Sequence, residues 1–126
     1  MSRVPDCAEA LGGLSRSLAD LKGLQRNACD ALYAGDYTSG GQRMRTLFSA
    51  WNEFLQGVSG ILPALEEGAA ARTQQSIAAS LAYLKAVRGA LERRDWIQTA
   101  DLLSLDVVPV FEGWDRALAP ELGNGI

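Results

Sequence analysis

Apolar residues recur alternately three and four positions apart along nearly the whole chain, which is the spacing of one face of an α-helix. The last such stripe consists of Trp96, Ala100, Leu103, Val107, Val110, Trp114 and Ala117. A stripe of this kind is typical of a helix that packs against other helices. Four stripes predict four helices, at about residues 4–34, 39–67, 69–93 and 96–119.

The second stripe repeats the fourth at an offset of 59 residues. Met44, Phe48, Trp51, Leu55 and Val58 fall on Leu103, Val107, Val110, Trp114 and Ala117. The segments before these stripes match too, since Ala31-Leu32 falls on Ala90-Leu91 and Asp36-Tyr37 on Asp95-Trp96. The sequence therefore predicts one helical hairpin written twice. The expected fold is all-α, an antiparallel up-down four-helix bundle that forms a single domain over residues 1–126.

Glycine, proline and acidic residues predict where the helices end or bend. Gly35 is placed to end the first helix in a left-handed conformation, and Asp95 is a good N-cap for the fourth. Pro63 predicts a bend in the second helix, because proline has no N–H to donate and crowds the preceding turn. Pro109 should kink the fourth helix, which we expect to fray before Pro120.

The composition predicts a soluble globular protein. Apolar residues are 48% of the chain and charged residues 21%, and no uncharged apolar run reaches the ~20 residues of a membrane span. A net charge of -3 gives no electrostatic reason to expect nucleic acid or an anionic membrane as a partner. The first residues lack the pattern of a secretory signal, and Cys7 and Cys29 lie ~33 Å apart on one predicted helix, too far to pair. These features favour the cytoplasm.

The predicted core offers little chemistry. The chain contains no histidine, which removes histidine metal ligation, histidine phosphotransfer and nucleophiles activated by histidine. Apart from the aromatic residues and Cys7, the only side chains on the stripes that can form hydrogen bonds are Gln25, Thr73 and Ser80. Asp101 and Asp106 flank the last stripe but point in different directions. We therefore expect no catalytic site, no metal and no cofactor.

The hairpin plan resembles that of the flagellar export chaperones, which bind flagellin or other export substrates before secretion. The resemblance extends over about residues 28–118 and lies in the Ala31-Leu32 to Gly35-Asp36 turn, the Asp95 turn and a last helix that carries Trp114. It implies a small four-helix protein that acts by binding another protein.

A non-enzymatic protein-interaction module, such as a chaperone or a small regulatory scaffold, is accordingly the expected function. The alternatives are a structural subunit of a larger assembly and a small-molecule-binding bundle. Leu47, Phe54 and Ile61 widen the apolar face of the second helix, whereas the fourth helix has Asp106, Gly113 and Pro120 at the equivalent positions. This flank either packs on a neighbouring helix or binds a partner, which would be a second copy or an amphipathic helix of another protein. If the flank is core, the next candidates are Leu102, Leu105 and Val108.

Overall fold

The computed structural model describes residues 5–124, with side chains from residue 12 to residue 118, and this part of the chain contains helices and no strand. The elements are α1 (Pro5–Tyr33), α2 (Tyr37–Ile61), a 3-10 turn (Leu62–Ala64), α3 (Glu67–Glu92), α4 (Trp96–Asp101), a π-helical turn (Leu102–Asp106) and α5 (Val107–Asn124). The helix α4, the π turn and α5 follow one another without a break and form the fourth helix. The all-α prediction is confirmed. Val4, the residue at which the first helix was predicted to begin, lies outside the described residues. None of the helices within residues 5–124 has the length and apolar character needed to cross a membrane.

The second and fourth helices differ from their predicted bounds. The second ends at Ile61 and not at residue 67, because Pro63 cannot continue the α-helical hydrogen bonds and lies in the 3-10 turn instead. The fourth does not fray before Pro120, since α5 continues to Asn124. The irregular part of the fourth helix is the π turn, which lies directly before α5, the segment that contains Pro109.

The connections after α1 and after α3 have the same backbone geometry. Gly35 has a φ of +81°, and Arg94 at the equivalent place in the repeat has a φ of +56°. In each turn the next residue's N–H reaches back five residues: Asp36 donates to the carbonyl of Ala31 at 3.0 Å, and Asp95 donates to that of Ala90 at 2.9 Å. This is the Schellman closure of a helix C-terminus. The repeat seen in the sequence is therefore present in the structure of both turns.

The helices that follow these turns also start alike. The carboxylate of Asp36 accepts from the N–H of Ser39 at 3.1 Å, and the carboxylate of Asp95 accepts from the N–H of Gln98 at 3.1 Å. Each is the N-cap of its helix, as predicted for Asp95. Tyr37 and Trp96, the next residues in each repeat, stack on each other with ring centroids 4.9 Å apart and planes 12° apart. The two turns therefore lie side by side at one end of the molecule.

The aromatic core shows that the repeat offset changes along the fourth helix. Trp51 stacks on Phe111 with ring centroids 5.6 Å apart, and Phe54 meets Trp114 edge to face at 4.9 Å. The partners in these pairs lie 60 residues apart, whereas Tyr37 and Trp96 lie 59 apart. The π turn lies between these regions and holds one more residue than an α-helical turn would. It therefore shifts the second half of the fourth helix by one position relative to α2.

The buried faces of α2 and α3 lie one position away from part of the predicted stripes. On α2 the buried residues are Gly40, Met44, Leu47, Trp51, Phe54 and Val58. On α3 they are Ala69, Thr73, Ser76, Ser80, Tyr83, Val87 and Ala90. Phe48 and Leu55, which the sequence placed on the core stripe of α2, are only half-buried, and so are Ile77 and Leu84 on α3. On α2 both rows are apolar, whereas the buried row of α3 also contains Thr73, Ser76 and Ser80. Packing against α1 and the fourth helix decides which row of each helix is buried.

Candidate functional site

The residues predicted to form a partner surface lie in three different environments. Leu47 and Phe54 are 1% and 2% exposed and belong to the core, and Leu102 is buried as well. Ile61 is half-buried against the core, whereas Leu105 is 65% exposed. Of the two possibilities left open for this flank, packing on neighbouring helices is the one seen at Leu47 and Phe54, so these two residues and Leu102 do not form part of an open partner surface.

The flank looked unusually apolar in the sequence because of the one-residue shift at the π turn. A constant offset of 59 pairs Leu47 with Asp106 and Phe54 with Gly113, which makes α2 look more apolar than its repeat mate. The shifted offset pairs Leu47 with Val107 and Phe54 with Trp114, and all four side chains are buried. The two helices bury equivalent faces, and no excess of apolar surface remains at Leu47 and Phe54.

The half-exposed apolar residues of α2 and α3 face each other across an open groove of about 420 Å³. It is lined by Phe48, Asn52, Leu55, Leu81, Leu84, Lys85 and Arg88. Leu81 is 54% exposed although it is a large apolar side chain. The groove exists because α2 and α3 pack far less closely against each other than α1 packs against α2.

The rim of this groove is positively charged. Within the part of the chain whose side chains are described, its charged lining residues are Lys85 and Arg88, which are both cationic and both exposed on α3. The guanidinium carbon of Arg88 lies 5.9 Å from the centroid of the Phe48 ring on α2. A cation over an aromatic face at this distance is attracted by the ring's quadrupole. This contact places a positive charge beside the apolar lining of the groove.

A second depression, of about 500 Å³, lies between α1 and the π turn. Its lining is more polar and consists of Lys22, Gln25, Arg26, Cys29, Asp30, Tyr33, Leu103, Ser104, Val107 and Phe111. Burial raises the pKa of the Cys29 thiol, although a hydrogen bond from Ser104 opposes the shift. The Cys29 thiol donates to the carbonyl of Ala100 at 3.6 Å. A thiol that is kept protonated is a poor nucleophile, so the depression offers a shape without an activated group.

The deepest polar residue beside this depression, Gln25, is fully engaged by the core. Its side-chain N–H donates to the Tyr83 hydroxyl and, at 3.3 Å, to the carbonyl of Leu103 in the π turn. Its carbonyl oxygen accepts from the indole N–H of Trp51 at 3.4 Å. Among the side chains of residues 12–118, no buried polar atom lacks a hydrogen-bond partner. The buried polar groups therefore hold the helices together and do not point to a ligand.

The remaining candidates for chemistry are spread apart. Asp101 and Asp106 are both exposed, and Asp101 accepts from the hydroxyl of Tyr33 at 2.9 Å. Trp51 and Trp114 are core residues as predicted, while Trp96 is half-buried and stacked on Tyr37. The side chain of Cys7 lies outside the described residues. Among the side chains of residues 12–118, the structure brings no pair of these groups together as an acid and a base.

Sequence reasoning missed the groove because it assigned Phe48 and Leu55 to the core. The signal was present, since Leu47 and Phe54 form a second apolar row one position away, and a helix in a small bundle buries only one face fully. Leu81, which lies outside the predicted stripe of α3, was a further sign of an apolar surface there.

Comparisons with protein-family models, with curated proteins and with solved structures found no match to this chain.

Proposed function

We propose that this protein is a non-enzymatic protein-interaction module whose four helices form an antiparallel bundle of two related hairpins. Contacts between α1 and the fourth helix support the antiparallel arrangement. Tyr33 near the end of α1 contacts Asp101 near the start of the fourth helix, and Lys22 in the middle of α1 lies 3.0 Å from Asp115 further along. From the first contact to the second, the residue number decreases along α1 and increases along the fourth helix, as expected for two antiparallel helices. The matching turns and the stacked Tyr37 and Trp96 support the relation between the hairpins.

The groove between α2 and α3 is the observation that carries the functional proposal. It brings three partly exposed apolar side chains, Phe48, Leu55 and Leu81, together at one place on the surface. An apolar surface rimmed by charge is the usual form of a protein-binding site. A chaperone that holds a partner before export, as the resemblance to flagellar export chaperones implies, is one form of this function. We place it in a reducing compartment such as the cytoplasm, which fits the buried free thiol of Cys29.

The proposal can be tested by affinity purification from the native host followed by mass spectrometry. The wild type should carry a stoichiometric protein partner, and Leu81→Glu should lose it because the charge lies in the groove. Leu105→Glu is the matched control, since Leu105 is a leucine on the fourth helix that is exposed to a similar degree. A bound metabolite in place of a protein would overturn the proposal. Loss of the partner with Leu105→Glu alone would overturn the role of the groove.

A further inference from the structure

We propose that the groove between α2 and α3 binds an acidic amphipathic helix of a partner protein. This inference rests on the proposed interaction function and names the chemistry of the partner. It follows from the length, the apolar lining and the charge of the groove.

The groove has the length and the lining that suit a helix. On α2 its apolar lining runs from Phe48 to Leu55, and on α3 its lining runs from Leu81 to Arg88. Each stretch covers seven residue steps, or roughly 10 Å at 1.5 Å per residue, which is two helical turns. A third helix can lie between α2 and α3 and place apolar residues at i, i+3 or i+4, and i+7 against this lining.

The positive charge of the rim determines which residues the bound helix should carry on either side of its apolar face. Lys85 and Arg88 lie three positions apart on α3, so they project from the same side of the helix. Among the described side chains, no acidic residue lines the groove. Glutamate or aspartate beside the apolar residues of the bound helix would meet these cations, whereas lysine at the same places would be repelled. The net charge of -3 does not reverse this preference, because salt at 0.15 M screens charges beyond about 8 Å.

A pair of synthetic peptides tests the preference directly. Both are amphipathic helices of about 18 residues, long enough to populate the helix, with leucine at i, i+3, i+4 and i+7. One carries glutamate beside the leucines, and the other carries lysine at the same positions. Measured by fluorescence polarisation with the full chain at 0.15 M salt, the glutamate peptide should bind about tenfold more tightly, and the difference should shrink as more salt is added.

Charge reversal in the groove should reverse the preference. Lys85→Glu combined with Arg88→Glu should bind the lysine peptide more tightly than the glutamate peptide. Arg26→Glu combined with Arg116→Glu is the matched control, because it makes the same change in net charge at exposed positions on α1 and α5, outside the groove. The control should keep the wild-type order of the two peptides. Circular dichroism of both double variants reports whether they keep the helical fold.

Three results would overturn the inference. The first is equal binding of the two peptides to the wild type, and the second is no binding of either peptide. The third is a dimer of the wild type in sedimentation that Leu81→Glu abolishes, because the groove would then be occupied by a second copy. These results leave the interaction function intact if a partner from the native host still depends on Leu81. Only the affinity purification from the native host tests the interaction function itself.

Discussion

At the scale of single residues, Gln25 shows how the core combines polar groups from three parts of the chain. Its one amide holds Tyr83 of α3, the indole of Trp51 on α2 and the Leu103 carbonyl of the π turn. Each of these groups is buried, so each would lose its partner in a place that water does not reach. The amide therefore contributes more to stability than a surface glutamine does.

Gln25→Leu should lower the free energy of unfolding by about 3 kcal/mol, because a side chain of similar size fills the space but leaves the indole N–H and the tyrosine hydroxyl unpaired. Urea unfolding measures the change. Gln42→Leu is the control, since Gln42 is an exposed glutamine on α2, and it should lie within about 0.5 kcal/mol of the parent. A Gln25→Leu protein as stable as Gln42→Leu would show that the network adds nothing.

At the scale of elements, the helix ends at Gly35 and Arg94 have the same left-handed backbone conformation but different residues. Both have a positive φ, which glycine adopts at no cost and arginine adopts only with strain at its Cβ. The turn at Arg94 is held in place by its hydrogen bond to Leu91, at 2.9 Å, and by the Asp95 cap that follows. The second turn is therefore the more strained of the two.

Arg94→Gly should stabilise the protein by about 0.5–1 kcal/mol, because it relieves the strain at a positive φ. Arg93→Gly should destabilise it instead, since Arg93 has a φ of -82° and donates to Gln98 at 2.8 Å. Thermal melts of the two variants decide the matter. Equal destabilisation by both would mean that the left-handed conformation at Arg94 costs nothing.

The π turn is the second feature at this scale. It accommodates one extra residue in the fourth helix, and the side chains on both sides of it still face the core. Buried residues of α2 fall on the fourth helix at an offset of 59 before the turn and 60 after it. Removing one residue there would restore an ordinary helix with the spacing of α2. Leu105 is the residue of choice, because it is the most exposed large apolar side chain of the turn.

Deletion of Leu105 should leave a folded protein that is less stable by about 1–2 kcal/mol. Deletion of Glu112, an exposed residue in the regular part of α5, should cost more than about 4 kcal/mol, because it rotates Trp114 and Leu118 away from the core. Chemical unfolding monitored by circular dichroism compares the two. Similar losses from both deletions would contradict the description of the π turn as an insertion.

At the scale of the whole molecule, stability should fall at alkaline pH because of Tyr83. Burial raises the pKa of Tyr83 well above its ordinary value, and the hydrogen bond from Gln25 offsets only part of this shift. The folded protein therefore keeps a proton that the unfolded chain releases near pH 10. Stability from this group is complete below about pH 10 and is lost as the pH rises further.

We expect the free energy of unfolding of the wild type to fall above pH 10 by up to about 1.4 kcal/mol per pH unit from this group. Tyr83→Phe should remove that part of the slope, while Tyr37→Phe, at an exposed position, should keep it. Urea unfolding between pH 8 and pH 11 gives the slopes. An unchanged slope in Tyr83→Phe would show that this tyrosine does not titrate differently in the two states.

Much of the helical organisation could be predicted because it depends on local chemistry. The end of α1 at Gly35 and the cap at Asp95 follow from the few residues around them. The sequence shows two adjacent apolar rows on α2 but not which of them is buried, so it could not decide the position of the candidate surface. Leu47 and Phe48 are both large and apolar, and only packing against the other helices distinguishes them.

The number of helices and the turns after the first and third helices thus follow from the amino-acid sequence, since helix periodicity and capping act over a few residues. The tertiary structure alone decided the register of the core and, with it, the groove at Phe48 and Leu81. A single extra residue in the π turn shifts the fourth helix by one position, and the local sequence carries no mark of that shift. Only the pairing of Trp51 with Phe111 and of Phe54 with Trp114 reveals which row faces inward, because close packing admits one register and leaves the other row to solvent.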